Sequence, residues 1–282
     1  MSLLKLLLLA LAQGICELLP VSSSAHVILA EKLLGLDPTA PAMTLLLVML
    51  HTGTMFAVIV YFWRSWRSTY FSSSAEFRRN GWRVAVATIA TGMVGLTLLE
   101  VIKHVIVTNR SSFEVEQLFG NPQLMAASLA TAGLLILWSS RRGMRAGGEL
   151  SSSKALCIGA VQGLCLPFRG LSRSGATIST GLALGVARRR AEEFSFALAL
   201  ALALVLTPAV VAKEALRFYK APVLANGLEW WPMLLSSVLG MALSFGAGLL
   251  ALRWLSRWLE QDRWHLFGFY CLVMAMVVYR VG

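Results

Sequence analysis

The sequence predicts an all-α polytopic membrane protein built as an inverted-topology repeat, with six transmembrane helices and two re-entrant helical hairpins. Three observations support this fold class. Hydrophobic residues occupy 57% of the 282 positions and charged residues only 14%, far from the composition of soluble domains. Several apolar stretches are long enough to cross a bilayer, and two further apolar segments are interrupted. A short polar motif also occurs twice along the chain.

The uninterrupted apolar stretches predict the transmembrane helices. A helix needs about 20 apolar residues to cross the hydrocarbon core of a bilayer. The stretches that meet this requirement are residues 43–63, 84–104, 122–140, 193–215, 231–252 and 264–281. We therefore expect six spans.

Residues 1–35 and 154–187 are apolar segments of a different kind, because Gly, Pro and Ser break each of them midway. We expect each segment to enter the membrane as a helix, turn, and leave by the same face. Each hairpin precedes three spans. The chain then divides into a first repeat, residues 1–145, and a second repeat, residues 151–282, within a single membrane domain.

Basic residues predict the orientation. With both interrupted segments re-entrant, most loop arginines fall on one side, which is then cytoplasmic, and both termini lie outside. This topology accounts for the net charge of +11, so we expect no nucleic-acid partner. The four cysteines lie in apolar runs without metal-ligand spacing, which argues against a disulfide framework or a zinc site.

The repeated motif relates the two hairpins. The sequence Ala-Gln-Gly-Ile-Cys at 12–16 returns as Val-Gln-Gly-Leu-Cys at 161–165, and Ser-Ser-Ser-Ala at 22–25 returns loosely as Ser-Arg-Ser-Gly at 172–175. Because three spans separate the copies and three is odd, the second copy enters from the opposite face. The two interrupted segments are then expected to meet near the membrane midplane.

Polar and ionisable residues in these segments predict a site. Such groups are costly at membrane depth and mark function there. A Ser-Arg-Ser-Gly sequence before a helix is typical of an anion cradle, because the helix N-terminus exposes backbone N–H groups and arginine matches phosphate oxygens. The predicted phosphate-binding residues, besides Arg173, are Ser22, Ser172, Ser174, Gly175 and Thr177.

Each of these residues also has a structural interpretation. The structural role of Ser22 and its two serine neighbours would be to cap the helix that follows Pro20. The structural role of Arg173 would be to neutralise Glu17, which also requires the two residues to lie together. His51 lies within a predicted span and is as well explained by a hydrogen bond between helices.

Three motifs resemble those of a known family. They are Gln13-x-x-x-Glu17 followed by Pro-Val-Ser-Ser-Ser-Ala-His at 20–26, Ser-Arg-Ser-Gly-Ala-Thr at 172–177, and Glu-Phe-Ser-Phe at 193–196. The chain resembles, over nearly its whole length, the undecaprenyl-diphosphate phosphatases, also called bacitracin-resistance proteins. It looks like a divergent member, because Gln13 stands where the family often has Glu and because the loop at 167–171 has two additional residues.

The resemblance implies an integral membrane hydrolase of the bacterial inner membrane. It would remove one phosphate from undecaprenyl diphosphate and so regenerate the carrier lipid of peptidoglycan synthesis. A divalent cation, Mg²⁺ or Ca²⁺, is implied as cofactor, with Glu17 and Gln13 as its ligands. The implied partners are a polyprenyl diphosphate and the bilayer, and the implied active site faces the periplasm. Whether the protein forms a homodimer is left open.

Hydrolysis of a diphosphate requires charge neutralisation, a nucleophile and proton transfer. Arg173 can hold the anion, and Glu17 can bind the cation or orient His26. The nucleophile is His26, Ser23 or water with His26 as base. The sequence favours His26 as the indispensable residue, because imidazole can attack or transfer protons near neutral pH.

A transporter is the alternative function. Inverted repeats with broken helices at the midplane are also the architecture of secondary transporters, so the protein could move a polyprenyl phosphate or another anion. The combination of Glu17, His26 and Arg173 favours hydrolysis, because a phosphate transporter has less use for a paired acid and imidazole.

Overall fold

The computed structural model describes residues 2–37, 41–105, 121–143, 147–220 and 230–281. Within these ranges the chain is α-helical, with a single isolated backbone bridge between Gly148 and Val186, and the all-α class is confirmed. The helices are α1 (Leu3–Leu18), α2 (Ser23–Leu33), α3 (Pro41–Tyr70), α4 (Ser74–Val105), α5 (Pro122–Gly143), α6 (Ser152–Cys165), α7 (Arg173–Ala183), α8 (Arg188–Lys220), α9 (Trp230–Glu260) and α10 (Trp264–Val281).

Long apolar helices confirm a polytopic membrane protein. Among the described residues, five segments are long and apolar enough to cross a membrane, in α3, α4, α5, α9 and α10. They coincide with five of the six predicted spans. The sixth, residues 193–215, falls within α8, and the side chains of its C-terminal half lie outside the described residues.

Both interrupted segments form helical hairpins. The first consists of α1 and α2, which pack on each other, and the second of α6 and α7, which do the same. These helices have 11 to 16 residues, fewer than the roughly 20 that a full crossing requires. The tips of the two hairpins touch, since the Ser174 hydroxyl donates to the Leu19 carbonyl at 3.2 Å.

The two halves of the chain pack reciprocally. α1 of the first half packs along α9 of the second half, and α6 of the second half packs along α4 of the first. The last helices of the two halves, α5 and α10, pack on each other. One helix of each hairpin thus packs on a long helix of the other half.

Local sequence explains where the hairpins turn. Pro20 disfavours helical backbone at the preceding residue, and α1 ends at Leu18 with extended Leu19 as its cap. Ser22 has a φ of +65°, a value that non-glycine residues rarely adopt, and α2 begins at the next residue. In the second turn Gly170 has a φ of +108°, and a Cβ there would lie 2.4 Å from the Met125 carbonyl oxygen. Glycine is therefore required at that position.

Basic residues gather at one end of the helices. Arg188 forms an ion pair with Asp262 in the α9–α10 turn, and the Arg189 guanidinium donates to the Ser65 hydroxyl of α3 at 3.4 Å. We call this the basic end. At the opposite end, the Lys32 ammonium donates to the Val281 carbonyl at 2.9 Å, so the open end of the first hairpin lies beside the C-terminus of α10.

The α4–α6 contact depends on a glycine, and replacing it should destabilise the fold. A Cβ on Gly159 would lie 2.1 Å from the Ala87 carbonyl oxygen and 2.5 Å from its Cα. We expect Gly159→Ala to lower the thermal unfolding midpoint in detergent, with a cost of about 1–3 kcal/mol from overpacking. Gly92→Ala on α4 is the control, because no atom lies within 4 Å of a Cβ there. Equal midpoints for the two variants would contradict the close crossing.

Candidate active site

A polar cavity of about 430 Å³ lies where the hairpin tips meet. Its walls come from α1 and α2, from the turn before α7, and from the first half of α3, which contributes His51. On α2 it extends as far as Glu31, one residue before the Lys32 that contacts the opposite end. The cavity therefore extends from the hairpin tips toward the end opposite the basic end.

The Glu17 carboxylate is the centre of the cavity's polar network. It accepts hydrogen bonds from the Ser23 hydroxyl at 2.6 Å, from the Arg173 guanidinium at 2.9 Å and from the Gln13 amide at 3.3 Å. The Nδ1 atom of His51 lies 3.6 Å from its Oε1 atom. The side chain is only 11% exposed, so little solvent screens these contacts. The predicted approach of Glu17 and Arg173 is observed.

Ser23 is placed as a nucleophile would be. It is the first residue of α2, it lines the cavity, and its hydroxyl donates to Glu17 Oε2. A carboxylate that accepts the hydroxyl hydrogen bond can also accept the proton when the oxygen attacks an electrophile. The structure therefore joins in one contact the two groups that nucleophilic catalysis by serine needs.

His26 does not line this cavity. Its Nδ1 atom lies 2.9 Å from the Ser22 carbonyl oxygen, and its Nε2 atom lies 2.7 Å from the Tyr270 hydroxyl on α10. The imidazole also stacks on the Tyr270 ring, with 5.6 Å between ring centroids. Because a carbonyl only accepts, Nδ1 carries a hydrogen, and in the neutral imidazole Nε2 then accepts from the tyrosine. Both ring nitrogens of His26 thus form hydrogen bonds, and the imidazole lies on the side of α2 that faces α10.

The second hairpin contributes Ser172, Arg173 and Ser174 to the cavity wall. The Arg173 side chain is 22% exposed, and Nη2 is the atom that contacts Glu17. A guanidinium has five N–H donors, so donors remain for a phosphate beside this ion pair. The Ser172 hydroxyl accepts from the Gly175 amide at 3.2 Å and caps α7. Part of the predicted cradle thus caps its own helix.

Gly175 and Thr177 are not among the described residues that line the cavity. Thr177 is fully buried, and its hydroxyl lies 2.6 Å from that of Ser195, in the Glu-Phe-Ser-Phe motif of α8. The pair ties α7 to α8 behind the wall. Ser22, in contrast, does line the cavity.

Two residues that line the cavity, His51 and Glu31, were not among the predicted site residues. His51 of α3 makes the predicted contact between helices, and its partner is Glu17 of α1 inside the cavity. Glu31 is 4% exposed, and its Oε1 atom has no hydrogen-bond partner in the described parts of the chain. The sequence alone could have indicated Glu31, because a carboxylate in an apolar re-entrant segment is energetically costly and such residues usually have a function.

The two predicted cation ligands, Glu17 and Gln13, both line the cavity, and Glu31 brings a second carboxylate to it. Among the described residues, no group of three His, Cys, Asp or Glu side chains is arranged to hold a metal. Mg²⁺ sites often use one or two carboxylates together with substrate phosphates and water. The donor set therefore fits a cation that binds with a phosphorylated substrate.

An apolar cleft of about 300 Å³ borders the polar cavity. Leu19 and Val21 of the first turn and Trp258 and Phe267 of the last two helices line it. Cys16 lines both spaces and separates them. A ligand with a phosphate head and a hydrocarbon chain can contact both.

Comparison with known proteins gives a family match. The family described as bacitracin resistance protein BacA matches residues 6–277. The chain is 59% identical to undecaprenyl-diphosphatase 2 of Acinetobacter baylyi, over 99% of this chain and 97% of the relative. It is 33% identical to undecaprenyl-diphosphatase of a Psychrobacter species (99% and 95%) and 30% identical to that of Acidovorax ebreus (98% and 93%).

Proposed function

Because the chain belongs to the BacA family of bacitracin resistance proteins, we propose that it hydrolyses undecaprenyl diphosphate to undecaprenyl phosphate and inorganic phosphate. The product is the carrier lipid of cell-wall synthesis. The observation that carries the proposal is the contact of Glu17 with both Ser23 and Arg173 in one cavity at the hairpin tips. An acid, a hydroxyl and a guanidinium supply the base, the nucleophile and the phosphate ligand of a phosphoryl transfer.

Ser23 attacks the terminal phosphorus in the mechanism that the contacts favour. Glu17 accepts the hydroxyl proton as the serine oxygen bonds to phosphorus, the anhydride P–O bond breaks, and Glu17 passes the proton to the departing undecaprenyl phosphate. Arg173 neutralises the charge on the transferred phosphoryl group. Water then attacks the phosphoserine while Glu17 takes a proton from it and delivers that proton to the Ser23 oxygen, so that the P–O bond to serine breaks, inorganic phosphate leaves and the Ser23 hydroxyl is restored.

His26 serves this mechanism as a positioning residue. Its two hydrogen bonds connect the backbone before Ser23 with α10. The imidazole thereby holds the first turn of α2, which carries the nucleophile, in a fixed orientation. The proposal replaces His26 by Ser23 as attacking group.

The hydrocarbon chain of the substrate lies in the apolar cleft in this proposal. Cys16 borders both spaces, so a lipid whose diphosphate contacts Arg173 can pass its first isoprene units over Leu19 and Val21. Burial of apolar surface there would favour a prenyl diphosphate over a water-soluble one.

Glu17 and Gln13 would hold the divalent cation that the family resemblance implies. When bound, it supplies charge neutralisation at the phosphoryl oxygens. We expect Gln13→Glu to lower the Mg²⁺ concentration that gives half-maximal activity, because it adds a carboxylate ligand. The measurement is a Mg²⁺ titration of phosphate release. Gln162→Glu, at the repeat-related position on α6, is the control, and an equal effect there would contradict a ligand role for Gln13.

The catalytic cavity faces the outer side of the membrane in this proposal, because it extends away from the arginine-rich end that the positive-inside rule places in the cytoplasm. We expect a cysteine at Gln261, which is exposed at the basic end, to react with an impermeant reagent only in inverted vesicles. A cysteine at Asn121, before α5, should react in intact cells. Labelling of both from one side would contradict the orientation.

The direct test is phosphate release by the purified chain from undecaprenyl diphosphate, with and without Mg²⁺ or Ca²⁺. Hydrolysis that depends on the cation supports the proposal. Absence of release with every cation, together with movement of a polyprenyl phosphate across liposomes, would establish the transporter instead.

A further inference from the structure

The basic end contains a second polar cavity, of about 350 Å³. The proposed phosphatase mechanism does not use it. Residues from the α3–α4 turn, the start of α8 and the segment before α6 line it. α3 contacts both cavities, His51 lining the catalytic one and Ser68 this one. At a rise of 1.5 Å per residue, these two residues are about 25 Å apart along the helix.

We propose that this cavity is a second anion site, which binds the phosphate group of a phosphomonoester or inorganic phosphate. Arg79, Arg83 and Arg190 line it. The Arg83 Nε atom and the Arg190 Nη1 atom are buried and have no hydrogen-bond partner within the described ranges. Buried charged donors without acceptors are unfavourable, and a bound anion would satisfy them.

Asn80 holds the guanidinium groups of Arg83 and Arg190 in place. It is 2% exposed, and its Oδ1 atom accepts from Arg190 at 2.6 Å and from Arg83 at 2.9 Å. Its own amide donates to the Thr69 carbonyl at 2.8 Å, which anchors it to the end of α3. The two forks are therefore oriented before a ligand arrives, as tight phosphate binding requires.

The carboxylates near the cavity do not satisfy these donors. Glu76 lines the cavity, but Arg79 and Asn80 already engage it. Glu149 is an exposed residue. Glu193, on α8, forms an ion pair with Arg190, but the 3.7 Å from its Oε2 atom to Nη1 is too long for a hydrogen bond, and the guanidinium also lies over the Tyr70 ring.

The surroundings allow two sources for the phosphate group. Exposed Phe71, Phe77 and Trp82 lie in the α3–α4 turn and on the first turns of α4, where aromatic residues mark a membrane interface. An anionic lipid headgroup could therefore reach the arginines from the cytoplasmic leaflet. Free phosphate could reach them from the cytoplasm.

Calorimetric titration of the full chain in dodecyl maltoside tests the proposal. Arg173→Ala is the starting protein, so that the catalytic cavity loses its main anion ligand. The probes are inorganic phosphate and dihexanoyl phosphatidic acid. We expect saturable binding of at least one of them: binding of both indicates a free-anion site, and binding of phosphatidic acid alone indicates a lipid site.

Adding Arg83→Gln should weaken this binding at least tenfold, and Arg83→Lys should restore little of it, because lysine keeps the charge without the fork. Arg67→Gln, an exposed residue of the same end outside the cavity, should leave the affinity unchanged. Thermal midpoints equal to that of the parent exclude unfolding as the cause, and Arg190→Lys replaces Arg83→Gln if that variant unfolds. No binding of either probe, or binding that both cavity variants leave intact, would overturn the proposal.

Discussion

Ser23→Ala is expected to reduce phosphate release from undecaprenyl diphosphate by roughly a thousandfold or more, as loss of a serine nucleophile does elsewhere. The physical reason is the 2.6 Å hydrogen bond to Glu17, which gives the proton of this cavity hydroxyl a carboxylate acceptor. Single-turnover measurements should show that the chemical step is lost while substrate still binds, since Arg173 remains.

The comparison that decides the nucleophile is His26→Ala measured beside Ser23→Ala. If His26 only positions α2, then His26→Ala and Tyr270→Phe should lose activity together and by much less than Ser23→Ala. An acid-stable, base-labile phosphoenzyme in rapidly quenched wild-type protein would identify phosphoserine. An acid-labile intermediate, or a Ser23→Ala variant that keeps normal turnover, would return the role to His26.

Arg173→Ala is expected to lower turnover by roughly 10²–10³-fold, the usual effect of removing one group that stabilises developing charge. Arg173→Lys should recover little of this activity. A planar guanidinium can contact Glu17 and two phosphoryl oxygens at once, whereas a lysine ammonium lacks this arrangement of donors. The measurement is kcat and KM for phosphate release by each variant.

Arg169→Lys is the matched control for Arg173→Lys, because Arg169 lines the same cavity and is an exposed residue of the same turn. We expect its effect to be several times smaller. If the Arg169 variant were the more damaged of the two, the phosphate arginine would be Arg169, and the contact between Arg173 and Glu17 would be purely structural.

Much of the architecture could be predicted without the structure. Spans and hairpins depend on apolar length and on where Gly, Pro and Ser interrupt it, which are local properties of the chain. The meeting of the hairpin tips followed from counting three spans between the motif copies. The approach of Arg173 to Glu17 followed in turn, because two opposite charges at membrane depth are each other's best partners.

The allocation of roles within the site could not be predicted in this way. Ser23 and His26 are three residues apart on α2, a spacing that can place both side chains on one face of a helix. In the structure one contacts Glu17 in the cavity and the other contacts Tyr270 outside it. Three residues correspond to a rotation of about 60° around a helix, so a small change in how α2 packs decides which of the two enters the cavity.

The sequence by itself thus determined the all-α class, most of the spans and the polar segments that form the site. The reason is that the length of an apolar stretch, and the free-energy cost of placing polar residues in the membrane, are properties of each segment alone. Only the tertiary structure decided that His51 and Glu31 enter the cavity and that Thr177 supports α7 from behind. The physical reason is that the rotation of a helix about its axis is set by the helices packed against it. Those contacts join residues far apart in the chain, as His26 and Tyr270 are.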